Sequence, residues 1–477
     1  MMNYTLQWIL HRRMNLQYLD FSVRALIVVV GALASLSIAR AQTLRVVSYN
    51  IDDADQGNDN NITASYAGLP SVIQAIGQHH LGTNAQPVDV LGVEELNATT
   101  LSNLATGLNN IYGAGTYNFD NTPDPTTGGG TDGLIYNTHT VQVISAAAIG
   151  SASTSGAARA PMRYQLRPVG YGPSADFYLY VSHYKASTGS TNISRRNAEA
   201  TAIRQDADAL GPNAHIIYSG DFNLTGASSE PAYATLTASG NGKAYDPVAA
   251  STSFISNWTN SNSSLTNLYS ESTTTLNARF DFQLVSGAML NKAGLQLAPD
   301  MSDPYTNNYP SKKYPYAYEV FGNDGSTSLN GLTNGSGNTS LSDLGNANTV
   351  LNDLMEPYSG NSNQFVGSDH LPLVADYMLV FPGDFNRDGH VNSADIIAMQ
   401  QALPDLRGYE TAKKLTDAQL SLIGDLNGDG IINNADLQSL LDLLKSGDGS
   451  ADSVPEPASI ALLGLGGLAI VFHRRSG

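Results

Sequence analysis

The stretch GDFNRDGHVNSADIIAMQ at residues 383–400 returns as GDLNGDGIINNADLQSLL at residues 424–441, an offset of 41. Repetition of this kind means two copies of one small unit that pack on each other. Each copy sets side-chain oxygens at fixed places. With Asp384 as position 1, Asn386 stands at 3, Asp388 at 5, Gly389 at 6, Asn392 at 9 and Asp395 at 12. In the second copy these places hold Asp425, Asn427, Asp429, Gly430, Asn433 and Asp436. Oxygens at 1, 3 and 5, a glycine for the sharp turn at 6 and a closing carboxylate at 12 are the spacing of a loop wrapped around Ca²⁺. The carbonyls of His390 and Ile431 serve at position 7. After each loop comes an apolar stripe at helical spacing: Ile396, Met399 and Leu403, then Leu437, Leu440, Leu441 and Leu444. Two full copies argue against an acidic surface turn. Residues 381–450 are expected to be a small helical module with two calcium loops, docked rigidly because hardly any linker precedes it.

The rest of the chain is much larger. At 477 residues and 42% hydrophobic composition it has room for at least one large core. A charged fraction of 14% excludes a highly charged disordered protein. The absence of cysteine excludes disulfides, thiolate metal sites and a cysteine nucleophile. The formal net charge of −18 shows no basic nucleic-acid groove in the totals, and its clustered carboxylates point to divalent cations.

Both ends read as targeting segments. Residues 1–41 carry Arg12, Arg13 and Arg24, an uncharged apolar run from Ala25 to Ile38, and the small-residue site Ala39-Arg40-Ala41. This is the layout of a secretory signal peptide. Residues 454–477 begin Val454-Pro455-Glu456-Pro457, continue uncharged from Ala458 to Phe472 and end basic with His473, Arg474 and Arg475. That order resembles the PEP-CTERM sorting signal of bacterial exported proteins. The resemblance implies transient membrane contact, processing by a sorting protease, and a place at the cell surface or in the extracellular matrix of a bacterium.

Between the ends, residues 42–380 alternate strand and helix patterns. Strands are predicted at 43–51, 88–96, 132–137, 141–149, 177–184, 215–223, 280–286 and 371–379. A helical stretch opens at Pro70, and another spans 193–210 with Ala198, Ala202 and Ile203 inward. Residues 298–365, rich in Asn, Ser, Gly and Tyr, read as a loop insertion. Its Tyr305, Tyr309, Tyr314, Tyr316 and Tyr318 suit approach to a membrane. The chain has no GxSxG, HExxH or GxxxxGK[ST]; TTGGGTDG at 126–133 is a turn, and His79-His80 is expected to cap a helix at the surface.

What stands out are polar residues at the ends of apolar strands: Asn50, Glu95, His183, Asp221, Asn223, Asp281, Asp369 and His370. Each is placed where a strand delivers a side chain to one edge of a sheet. Asn, Glu, Asp and His are the types that hold a hard divalent cation and move protons. Singly, each has a duller reading as a turn, a loop cap or a buried hydrogen-bonded histidine.

Together and in this order, with SGDFN and GSDHLP as the specific pieces, they resemble the endonuclease/exonuclease/phosphatase superfamily. The resemblance implies an α/β fold, a two-sheet four-layer sandwich, and metal-assisted phosphodiester hydrolysis. It implies Mg²⁺ (or Mn²⁺) held by Glu95 with Asn50, and His370 as base oriented by Asp281. Asp221 and Asn223 position water and phosphoryl oxygens, His183 meets the phosphate, and Asp369 joins a second cation site. Where the family has Gln-Glu, this chain has Glu94-Glu95. Lys185, Arg195 and Arg196 follow His183 and either meet substrate phosphates or form a solvated helix face.

The repeated module, with Asp rather than Glu at position 12 and no evident entering helix, resembles a type I dockerin. That resemblance implies calcium-dependent folding and a cohesin-like partner. The reading that results is an exported endonuclease acting on nucleic acid. The alternatives are a sphingomyelinase-like or other phosphoesterase, an accessory component of a polysaccharide-degrading or surface-matrix assembly, and a non-enzymatic surface module.

Overall fold

The strand β1 (Thr43–Asn50) is buried from Leu44 to its end, which a strand achieves only in the middle of a covered sheet. In the computed structural model it pairs with β2 (Val90–Leu96) in parallel and with β13 (Leu373–Val380) antiparallel. The structure describes residues 43–446 apart from 53–67, 82–84, 127–129, 152–158, 249–262, 272–275, 292, 299–315, 326–337, 355–367, 414 and 416. The expected leader and sorting segment lie outside the described residues, as does much of the 298–365 insertion.

The remaining strands are β3 (Tyr117–Phe119), β4 (Thr131–Asn137), β5 (Val141–Ala148), β6 (Met162–Pro168), β7 (Phe177–Val181), β8 (His215–Asp221), β9 (Ala244–Tyr245), β10 (Asp281–Ser286), β11 (Gly294–Leu297) and β12 (Tyr318–Val320). One sheet runs β11-β13-β1-β2-β4-β3 with β12 beside β13, the other β5-β6-β7-β8-β10-β9. Their inner faces pack together. Gln283 of β10 donates to the carbonyls of Val46 and Leu373 in the opposite sheet, at 3.1 and 2.9 Å, and accepts from the Tyr377 hydroxyl at 3.0 Å.

Helices α1 (Leu69–Gln78) and α2 (Thr100–Tyr112) lie on the first sheet, α3 (Ser190–Leu210) and α4 (Pro231–Thr237) on the second. Buried Arg45 ties β1 to α1 through the carbonyls of Ile76 and His79, at 2.6 and 2.9 Å, while pairing with Asp376 at 2.8 Å. Arg163 of β6 and Tyr180 of β7 both reach Asp206 of α3, at 2.7 and 2.5 Å. The helix–sheet–sheet–helix layering is the expected two-sheet α/β sandwich.

Several details depart from the sequence reading. β6 and α2 were not predicted, and β7 and β8 end at Val181 and Asp221 because the residues beyond them leave the sheet. The inner face of α3 buries Arg196, Glu199 and Arg204, whereas Ala198 and Ala202 are half-buried. Tyr318 is fully buried and Tyr316 half-buried, so neither is an exposed membrane-facing ring; the other three insertion tyrosines lie outside the described residues. His79 is the C-cap of α1, but it does not lie at the surface. It is buried between Glu319 at 2.9 Å and Asp343 at 2.8 Å, and so pins the end of α1 to the insertion.

The repeat forms a helical module of α5 (Ser393–Ala402), α6 (Leu406–Lys413), α7 (Asp417–Gly424) and α8 (Asn434–Ser446). The two loops fold alike. Asp384 accepts from Gly389 N at 3.0 Å, and Asp425 from Gly430 N at 2.9 Å. Asp395 accepts from Asn386 N and Asn392 N at 2.9 and 2.8 Å; Asp436 accepts from Asn427 N and Asn433 N at 3.2 and 2.9 Å. An entering helix does exist for the second loop, namely α7, whereas the first loop follows β13 directly. The module rests on the sandwich: Tyr171 stacks on Phe381 with ring centres 5.8 Å apart, and Arg387 donates to Leu379 O at 2.6 Å.

Candidate active site

The two sheets bring their polar strand ends to one edge. β1 delivers Asn50. β2 breaks register between Val93 and Leu96, and Glu95 there has a φ of +60°, a bulge that re-aims its side chain. Asp221 closes β8 directly opposite Asp281, which opens β10. Asn223 follows with a φ of +47°. His183 lies two residues beyond β7, and His370 three before β13.

The side chains converge. His183 Nε2 is 3.2 Å from Glu95 Oε1 and 3.4 Å from Asp221 Oδ2. Ligand atoms of Glu95, His183 and Asp221 all lie within 4.8 Å of one another. The Asn50 amide nitrogen bridges Glu95 at 3.0 Å and Asp221 at 3.4 Å, and its oxygen accepts from Asp52 N at 3.1 Å. Asn223 donates to Asp221 Oδ2 at 2.7 Å. Across the site, His370 Nδ1 is 2.7 Å from Asp281 Oδ2, which leaves Nε2 facing Asp221 and Asp369, each at 3.7 Å. The dyad is braced: Ser270 donates to Asp281 at 2.5 Å, and Ser368 links His370 N to Asn50 O at 2.9 and 2.6 Å.

The electrostatics follow from burial of many carboxylates. Burial pushes Asp221 well above the usual carboxylate range; His370 opposes this and Asp281 adds to it. Burial likewise raises Glu95 against the Asn50 hydrogen bond. For His370 burial favours the neutral ring, but Asp281, Asp369 and Asp221 outweigh it and hold its proton well above the ordinary range. Glu95, His183 and Asp221 are thus a group that could hold a metal ion.

Asp369 is half-exposed on the rim and outside the Glu95–His183–Asp221 group. Glu94 is fully buried in register with Asn50, with Ser48 as a distant donor at 3.4 Å, and burial with Asp132, Asp281 and Asp221 pushes it well above the usual carboxylate range. Two carboxylates, Glu95 and Asp221, thus flank His183 Nε2. Arg196 meets neither substrate nor solvent: it is fully buried against Glu230. Sequence reasoning missed Ser270, Ser368, Asp132 and Glu199. Only Ser368, inside the GSDH piece, carried a local signal.

In the calcium loops, burial raises Asp384 to about 6 and Asp395 to about 6 as well, the neighbouring loop carboxylates adding to it in each case. Asp384 and Asp395 are buried, whereas residues 427–431 of the second loop are exposed.

The sequence of residues 382–445 matches the dockerin type I domain, and that of residues 453–475 the PEP-CTERM protein-sorting motif. A dockerin implies calcium binding and a cohesin-type partner, and with the sorting motif it marks an exported protein, at the cell surface or extracellular. No curated protein matches the chain. Among solved structures, the human Nocturnin catalytic domain with bound sulfate is similar at 16% identity and a TM-score of 0.41, over 71% of this chain and 95% of that one. An endonuclease/exonuclease/phosphatase family protein from Bacteroides thetaiotaomicron is similar at 14% identity and a TM-score of 0.41, over 71% and 98%. A mannosyl-6-phosphatase from the same organism is similar at 13% and 0.38, over 70% and 100%.

Proposed function

We propose that the chain is an exported, divalent-cation-dependent phosphodiester hydrolase that acts on nucleic acid. The observation that carries this reading is the Asp281–His370 pair, 2.7 Å apart, aimed at the Glu95–His183–Asp221 cluster. The donors fit Mg²⁺ or Mn²⁺, because carboxylate oxygens dominate. Glu95 and Asp221 would hold the ion, with Asn50 once its amide oxygen turns toward it and Asp369 at a second position. When bound, the ion supplies charge stabilisation for a phosphoryl oxygen.

The chain's own residues supply the proton handling. Asp281 accepts from Nδ1 of His370 and so fixes the tautomer and direction of Nε2. With Nδ1 held by Asp281, Nε2 of His370 is the nitrogen that would act as base toward water. Asn223 and Asp221 position that water, and His183 donates to the phosphate. The two calcium loops play no part in this chemistry.

The test is hydrolysis of plasmid DNA, RNA, sphingomyelin and bis-p-nitrophenyl phosphate by the full chain, with and without Mg²⁺ or Mn²⁺. Cation-dependent cleavage of DNA or RNA is expected. Cleavage of sphingomyelin alone would move the substrate to lipid, and no cleavage of any diester would end the reading.

A further inference from the structure

Between Val181 and Ser190 the chain belongs to no helix or strand, yet Ser182, His183 and Tyr184 are buried. A buried irregular segment must find side-chain partners for its backbone groups. Here they are supplied almost atom by atom. His183 N donates to Asp132 at 3.2 Å. The carbonyls of His183 and Tyr184 accept from one nitrogen of Arg159, at 3.3 and 2.7 Å. Lys185 N donates to Glu199 at 3.0 Å, and the carbonyls of Lys185 and Ser187 accept from Arg196 at 2.6 and 2.8 Å. The other oxygen of Glu199 accepts from Arg159 N at 3.0 Å, and Arg196 is itself fixed by Glu230 and by Thr225 Oγ1 at 3.0 Å.

This is more fixing than a connecting loop needs. Ser187 has a φ of +75°, a conformation that persists in a non-glycine residue when its surroundings over-determine it. Arg196 and Glu199 lie inside α3, fully buried, and what they grip is backbone. The segment they grip carries His183, whose Nε2 must lie between Glu95 and Asp221.

We propose that Glu199 and Arg196 are positioning residues of the candidate active site: through the backbone of Lys185 and Ser187, and through Arg159, which Glu199 holds, they keep His183 against Glu95 and Asp221. The proposal rests on the phosphodiesterase reading for its consequence in catalysis and on the geometry alone for its effect on His183. Glu199 serves two N–H donors because a carboxylate only accepts; glutamine of the same size turns a donor toward one of them. Arg196 serves Glu230, Thr225 and two carbonyls with a planar fork that lysine cannot reproduce.

The test uses the full chain with Glu199→Gln, Arg196→Lys and the milder Thr225→Val. Arg204→Lys is the control: it lies on the same helix but bonds the carbonyls of Thr235, Leu236 and Ala238. The measurements are kcat and KM for bis-p-nitrophenyl phosphate with Mn²⁺, Mn²⁺ affinity by calorimetry, and the His183 ring signals by NMR, assigned with His183→Asn. Glu199→Gln and Arg196→Lys should lower kcat by about 10- to 100-fold with KM little changed. They should also weaken Mn²⁺ binding and shift the His183 signals, with Thr225→Val following at smaller size and Arg204→Lys losing stability alone. Should a large substitution prevent folding, Thr225→Val decides. Folded variants with wild-type kcat and unshifted His183 signals overturn the proposal. If the wild-type chain hydrolyses no diester, the functional reading fails separately, and the His183 signals still decide whether the residues position it.

Discussion

The ring of Tyr171, in the turn after β6, fills the space that a side chain on Gly389 of the first calcium loop would need. Gly389 also has a φ of +80°. One glycine therefore satisfies both the loop's sharp turn and its contact with the sandwich. Gly389→Ala should destabilise the chain by about 2–4 kcal/mol, combining the left-handed backbone penalty with overpacking. Gly430→Ala in the exposed second loop, where nothing lies within 4 Å of a new Cβ, should cost only the backbone part. Thermal melts of the two variants make the comparison, and equal losses would show that the Tyr171 contact contributes nothing.

Calcium should stabilise the chain unequally through its two loops. Binding to the folded state alone adds about 2.7 kcal/mol at a hundredfold excess over Kd. At the first loop this reaches the sandwich through Tyr171, Phe381 and Arg387. Asp395→Ala should therefore remove more of the calcium-induced rise in Tm, read from the β-rich part of the circular dichroism spectrum, than Asp436→Ala. A chain whose Tm is the same in Ca²⁺ and in EDTA would contradict both loops.

His79 gives a pH signature that lies away from the active site. Burial works against its charge, but Glu319 and Asp343 outweigh it and raise its pKa to about 9 from the ordinary 6.5. A folded-state pKa above the unfolded one means that this stability is complete below about pH 6.5 and is lost as pH rises through 9. Denaturant unfolding between pH 6 and pH 9.5 should show the decline. His79→Asn should be less stable at pH 6 and show a flatter profile over that range.

At the active site, His370→Ala and Asp221→Asn should each lower kcat by at least about a hundredfold in a chain that stays folded. EDTA should abolish turnover and Mn²⁺ or Mg²⁺ restore it, because the carboxylates need an ion between them. Near-native rates in either folded variant would mean that these residues are not the machinery.

The sequence alone determined those features whose physical cause is local. A calcium loop is set by oxygens at fixed spacing along twelve residues, so Asp384 to Asp395 and Asp425 to Asp436 could be read without a fold. The alternation of β1 and the apolar runs of β2 and β8 marked strands, and the polar residues that end them marked a candidate site; the sandwich was implied only by the resemblance that SGDFN and GSDHLP carry. α2 was less legible: Gly107, which lets Pro70 of α1 approach closely, weakens the helical signal it serves. What only the tertiary structure decided are relationships between residues far apart in the chain. Glu95 and Asp221 as the partners of His183 depend on a bulge in one sheet and a strand end in the other. The roles of Arg196 and Glu199 depend on which face of α3 is inward, and charged residues buried beside Ala200, Ile203 and Ala207 are not marked by the apolar pattern. His79 looked like a surface residue because the carboxylates that enclose it, Glu319 and Asp343, come from more than two hundred residues further along the chain.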